Sequence, residues 1–125
     1  MINPEKNNSP LDLSYLRDMS GDSAEFMIEM IDMFKQQTPL YMADLERAVF
    51  EKNWANVSGF AHKIKPTFVY VGREDAKDHM QMIEQNAKEL KNLDHIEADF
   101  KAVNDFVQVL YQLLDEARAE LEKRL

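Results

Sequence analysis

With no cysteine among its 125 residues, the chain offers three histidines as side chains whose nitrogen lone pair is largely free near pH 7. His62 is the best placed of the three. Between Trp54 and Val71, the residues Trp54, Val57, Ala61, Ile64, Phe68 and Val71 recur at steps of three and four, the spacing of one apolar stripe on a helix. At about 100° per residue His62 points roughly 130° away from the centre of that stripe, into water. Ser58 and Gly59 lie one turn before it on the same side, and Lys65, Pro66 and Val69 lie one or two turns after. Imidazole is largely neutral near pH 7, so one ring nitrogen carries a lone pair able to attack an electrophile such as phosphorus. Lys65 shares the His62 side and can neutralise a phosphoryl charge, whereas Lys63 is turned about 100° away.

The remaining polar residues suggest no second centre. His79 reads as a helix-flank residue and His95 as a loop or first-turn residue. A di-iron bundle needs inward Glu-x-x-His pairs, but Gly59, Ala76 and Asn92 stand three positions before the histidines. No glycine-rich phosphate loop, nucleophile elbow or Ser-His-Asp set can be assembled. Glu74-Asp75 and Asp115-Glu116 read as solvated helix faces and not as a magnesium site. The expectation is therefore no metal and no cofactor on this chain. Phosphoryl transfer needs in-line geometry and positive charge around the equatorial oxygens, and the chain supplies only a nucleophile and one or two lysines. It reads as a carrier and not an enzyme, with magnesium and most of the catalysis on a partner.

The elements that must hold His62 are helical throughout. Residues 1–10, rich in Asn, Lys, Ser and Pro, read as a flexible tail, and residues 11–125 as one domain. Leu11, Leu13, Tyr15, Leu16 and Met19 suggest a short docked helix. Asp22 or Ser23 can cap the next, with Glu25 completing a capping box from Asp22. Phe26, Met27, Met30, Met33 and Phe34 follow at helical spacing; Thr38-Pro39 predicts a kink or restart before the run to about Lys52. Asn53 caps the His62 helix and Gly72 ends it. Ala76, Met80, Ile83, Ala87 and Leu90 form one stripe of a further helix. Asp94 and Glu97 then predict a capping box ahead of Ile96, Phe100, Val103, Val107, Leu110, Leu114, Ala117 and Leu121, a seven-residue repeat. Methionines at helical spacing, among them Met27, Met30, Met33, Met80 and Met82, read as core filler. The predicted fold is all-α: an antiparallel four-helix bundle with a short accessory N-terminal helix.

Composition agrees with this class. Three glycines and four prolines leave little turn chemistry for strands, and 45% hydrophobic residues are enough for one core. A net charge of −8 opposes nucleic acid and anionic lipid as partners. No apolar run reaches signal-peptide or membrane-spanning length, so the expectation is a soluble cytoplasmic monomer whose partners are proteins.

The stretch Ala61-His62-Lys63-Ile64-Lys65-Pro66-Thr67-Phe68-Val69-Tyr70-Val71-Gly72 resembles the signature of the histidine-containing phosphotransfer (HPt) domain family, in which Ala-His-x-aliphatic-Lys-Gly precedes small residues and a closing aliphatic-Gly pair. The resemblance extends over the helical arrangement from about residue 22 to 122, with this dozen residues its specific part. It implies that His62 is the phosphoacceptor, that Lys65 is its electrostatic partner, and that Glu84 matches a position often filled by Glu or Gln near the imidazole. It further implies response-regulator receiver domains or a hybrid sensor histidine kinase as partners in a two-component phosphorelay. Three departures stand out: Pro66 replaces the usual glycine, Phe68 and Val69 are bulkier than the usual small residues, and His79 takes an aliphatic core position. Pro66 cannot donate an amide to the carbonyl of His62, which predicts a kink beside the acceptor. The alternative reading is a helical protein-binding adaptor in which His62 is not phosphorylated.

Overall fold

The computed structural model describes residues 1–125 and is all-helical, with no strand. A short 3-10 turn, Pro4–Asn8, precedes five α-helices: α1 (Ser14–Ser20), α2 (Ala24–Phe50), α3 (Trp54–Tyr70), α4 (Glu74–Glu89) and α5 (Leu93–Glu122). α3 packs on α2 and α4, while α5 packs on the same two helices from the other side. All five contribute to one contiguous core. No helix is long and apolar enough to cross a membrane.

Some helix ends follow local rules closely. The Asn53 side chain accepts from the amide of Asn56 at 3.2 Å and opens α3 as predicted. Gly72 closes it in the left-handed region at φ 76°. The Gly72 amide donates to the Val69 carbonyl at 3.1 Å and the Arg73 amide to the Phe68 carbonyl at 2.8 Å, a Schellman closure. A Cβ at Gly72 would also lie 2.5 Å from the carbonyl oxygen of Asp12, so glycine is required there twice over. Ser23, not Asp22, caps α2, accepting from the Phe26 amide at 3.2 Å. Asp22 takes a left-handed turn position instead, which prevents an Asp22–Glu25 box.

Several expectations are corrected. α2 runs unbroken through Pro39, because buried Thr38, Met42 and Phe34 anchor both sides of the missing hydrogen bond in the core. α3 also continues as helix through Pro66, whose missing amide leaves the His62 carbonyl without that backbone donor. The Asp94–Glu97 box does not form: Asn92 adopts φ 50° and α5 begins directly at Leu93, with no side-chain cap. Asp94 thus falls in the first turn, where its charge faces the helix's own free amides. Met33 and Met82 are exposed, while Met27 and Met80 are buried.

Part of the first ten residues is hydrogen-bonded to the α3–α4 turn. Around the Pro4–Asn8 turn, the Asn3 amide donates to Asp75 Oδ2 at 2.7 Å, and Arg73 donates to Asn7 Oδ1 at 2.8 Å and to the Asn3 carbonyl at 3.2 Å. Arg73 is itself buried, lies over the Phe106 ring at 4.6 Å and pairs with Asp75 at 2.9 Å. Asp75 was expected in solvent beside Glu74; the Arg73 pair and the Asn3 amide instead hold it inside. His79 is corrected too. It is buried, and its Nε2–H donates to the Asp99 carbonyl of α5 at 2.8 Å, which ties α4 to α5 and leaves Nδ1 with no partner.

Candidate functional site

His62 occupies the solvent side of α3, with its side chain 69% exposed, as the apolar phase of the helix requires. Val57, Ala61, Ile64 and Phe68 are buried on the opposite side. α4 supplies what the α3 sequence could not. Its Met80, Ile83 and Ala87 enter the core, and the register this sets brings Glu84 against both His62 and Lys65. Glu84 Oε2 lies 3.0 Å from His62 Nδ1, and Glu84 Oε1 accepts from Lys65 Nζ at 2.8 Å. The carboxylate is mostly covered, at 14% exposure.

Burial pushes the Glu84 carboxyl up, but the Lys65 hydrogen bond and charge, followed by those of His62, outweigh it and hold the group below its ordinary value. Glu84 is therefore a carboxylate at neutral pH and can only accept. The proton of a neutral His62 ring must then sit on Nδ1, directed at Glu84. The other nitrogen, Nε2, makes no hydrogen bond within the protein and keeps its lone pair. Lys65 is half-buried and spends one of its three N–H donors on Glu84. Lys63 turns away, with its ammonium 5.6 Å from the Phe60 ring centroid.

Beside the imidazole runs an open groove between α3 and the end of α4, lined by Ala55, Ser58, Gly59, Ala87, Lys88 and Leu90. On the other side of Lys65, Pro66 and Val69 form a shallow recess with Tyr15 of α1 and Lys77 of α4. Charge is unevenly distributed around this surface. From residue 52 to 73 the chain contains Lys52, Lys63, Lys65 and Arg73 and no acidic residue, so an acidic protein presents its candidate nucleophile on an acid-free stretch. No three His, Asp or Glu side chains converge as metal ligands.

The three residues singled out from sequence, His62, Lys65 and Glu84, are thus brought together by one bridging carboxylate. His95 sits in the first turn of α5, 3.7 Å from Asp94 and away from this cluster. Sequence reasoning missed the buried Arg73–Asp75 pair and placed Leu90 in the core stripe, although it is 63% exposed. The acid-free run around His62 was a readable signal for the site; nothing local marks Leu90 or Asp75. Comparison with family models, with curated proteins and with solved structures finds no match for this chain.

Proposed function

We propose that this chain is a histidine phosphotransfer carrier, accepting a phosphoryl group on His62 from the aspartate of one receiver domain and passing it to another. The observation that carries the reading is the Glu84 carboxylate 3.0 Å from His62 Nδ1. It commits the ring to the tautomer whose free nitrogen is Nε2. In the forward step the Nε2 lone pair forms the N–P bond, the P–O bond to the partner's aspartate breaks, and the aspartate leaves with the electron pair. Nδ1 keeps its proton, the ring becomes cationic, and Glu84 faces the new charge. The reverse step restores the neutral ring. Magnesium and the in-line carboxylate belong to the partner, and the carrier contributes an oriented nucleophile with Lys65 close to the site.

The cyclic packing of α2, α3, α4 and α5 and the short connections between them support an antiparallel four-helix bundle, with α1 as an accessory covering the end of α3. In that arrangement His62 stands midway along an outer face, where a globular partner can reach it. A cytoplasmic, monomeric relay protein fits this reading. The test is phosphorylation by a receiver domain charged with a small phosphodonor in the presence of magnesium. Acid-labile, alkali-stable label on the wild-type chain and none on His62→Gln is the expected result; label persisting on the variant, or none on the wild type with any of a panel of receivers, overturns the proposal.

A further inference from the structure

Two residues lining the groove beside His62 are poor choices for folding. Gly59 is the sixth residue of α3, inside the helix, where glycine costs about 1 kcal/mol relative to alanine. Packing does not demand it, because a Cβ at this position meets nothing within 4 Å. Leu90 follows α4 at φ 56°, in the left-handed region where glycine is favoured. Four non-glycine residues adopt such angles: Asp22, Lys52, Leu90 and Asn92. Asp and Asn tolerate them, and Lys52 keeps its charge in water. Leu90 is the only apolar one, and it is 63% exposed. It therefore combines backbone strain with unburied hydrocarbon. Elsewhere the fold uses glycine in left-handed positions, at Gly21 and Gly72.

Both residues open on the same groove as His62, so the structure sacrifices local stability twice beside its nucleophile. Residues held against folding preference collect at functional surfaces. We propose that Gly59 and Leu90 form the specificity-determining part of the docking surface for the receiver domain: Gly59 leaves the groove floor open to an apolar side chain of the partner, and Leu90 packs against that side chain from the rim. This rests on the phosphotransfer reading and adds to it the residues that choose the partner. The occupant follows from charge and continuity. The groove runs directly to His62; its one carboxylate, Glu84, is taken up by Lys65 and His62, and it is flanked by Lys88 and the acid-free stretch of α3, which suits a domain carrying an aspartyl phosphate and not a cationic peptide.

The proposal makes folding and transfer move in opposite directions. Gly59→Leu fills the groove while improving helix propensity, and Leu90→Gly relieves the left-handed strain while removing the rim contact. With a magnesium-loaded receiver domain chosen because it phosphorylates the wild-type chain, each variant should raise the half-saturating carrier concentration about tenfold with less than a twofold change in limiting rate. Each should also unfold at the same temperature as wild type or a few degrees higher. Unchanged half-saturation in both variants, with the wild type still phosphorylated, overturns the docking role alone. Earlier unfolding together with weaker transfer also overturns it, since the two residues would then be structural. A wild-type chain that no receiver phosphorylates defeats the phosphotransfer reading beneath it.

Discussion

Two carboxylate-centred clusters lie on the α3–α4 pair, one at the turn between the helices and one nearer their middle, and they differ in one respect that separates structure from chemistry. At the α3–α4 turn, Asp75 receives Arg73 and the Asn3 amide, Arg73 in turn reaches Asn7 and the Asn3 carbonyl, and both charged side chains are at most 9% exposed. Every partner there is inside the protein. At the outer face, Glu84 is similarly covered and holds a lysine, but its second partner is an exposed imidazole with a nitrogen left over. A closed network fixes a chain segment; a network with one unspent lone pair in water can react. The comparison teaches that a perturbed carboxylate is not by itself a sign of a site, since the wholly internal Asp75 is brought from 3.8 down to about 2.

The largest expected effect separates the clusters outright. His62→Gln should abolish phosphoryl acceptance and leave unfolding free energy within about 0.5 kcal/mol of wild type, as for other exposed positions. Denaturant titration alongside the labelling assay checks both halves. Equal loss of fold and function would erase the distinction.

Arg73→Ala should do the reverse. It strands a buried carboxylate and removes the stack on Phe106, so a loss of about 3 kcal/mol in unfolding free energy is expected, with transfer through His62 retained in the folded fraction. The pH dependence sharpens this. Burial raises the Asp75 carboxyl, but the Arg73 hydrogen bond, the Asn3 amide and the Arg73 charge bring it from 3.8 down to about 2. A depressed folded value means stability that is present above the unfolded value and lost as pH falls through the folded one. The pair should therefore contribute about 2 kcal/mol at neutral pH that disappears between about pH 4 and pH 2. Urea midpoints across that interval should fall less in Arg73→Ala than in wild type; parallel curves would remove Asp75 from the argument.

Glu84→Ala comes next. It deletes the acceptor that holds the Nδ1 proton, so nitrogen-15 shifts of the His62 ring should move towards a mixture of tautomers, and transfer should slow about 30-fold, the equivalent of about 2 kcal/mol. A ring that keeps its tautomer in the variant would break the link between Glu84 and the nucleophile. The smallest effects distinguish the two lysines. Lys65→Ala should slow transfer about tenfold at low ionic strength, with the deficit narrowing as salt is added, and Lys63→Ala should change it less than about twofold. Stopped-flow transfer at two salt concentrations checks the order, and a larger defect for Lys63 would contradict the observed ion pair.

What the amino-acid sequence determined by itself is what repeats within a few residues. The stripe Val57, Ala61, Ile64, Phe68 placed α3 and turned His62 into water; Asn53 and Gly72 closed its ends; the long repeat from Ile96 to Leu121 placed α5. These follow from the 3.6-residue period and from single-residue caps, which need no knowledge of the rest of the chain. From the residues alone Glu84 was one of many surface acids on α4, and only its resemblance to a family position marked it. Its meeting with His62 depends on how α4 slides against α3, and that register is set by the turn at Gly72, the close passage of Asp12 over it and the joint packing of Met80 and Ile83. The same holds for Asp75, His79 and Leu90. Asp75 and His79 are polar residues whose burial became tolerable only once the Asn3 amide, joining the neighbouring Arg73, and the Asp99 carbonyl arrived from other segments, and Leu90 lies one residue beyond where its stripe could turn inward. Tertiary structure decided these positions because the free energy of a buried polar group is fixed by partners far away in sequence, while the periodicity that forms a helix is not.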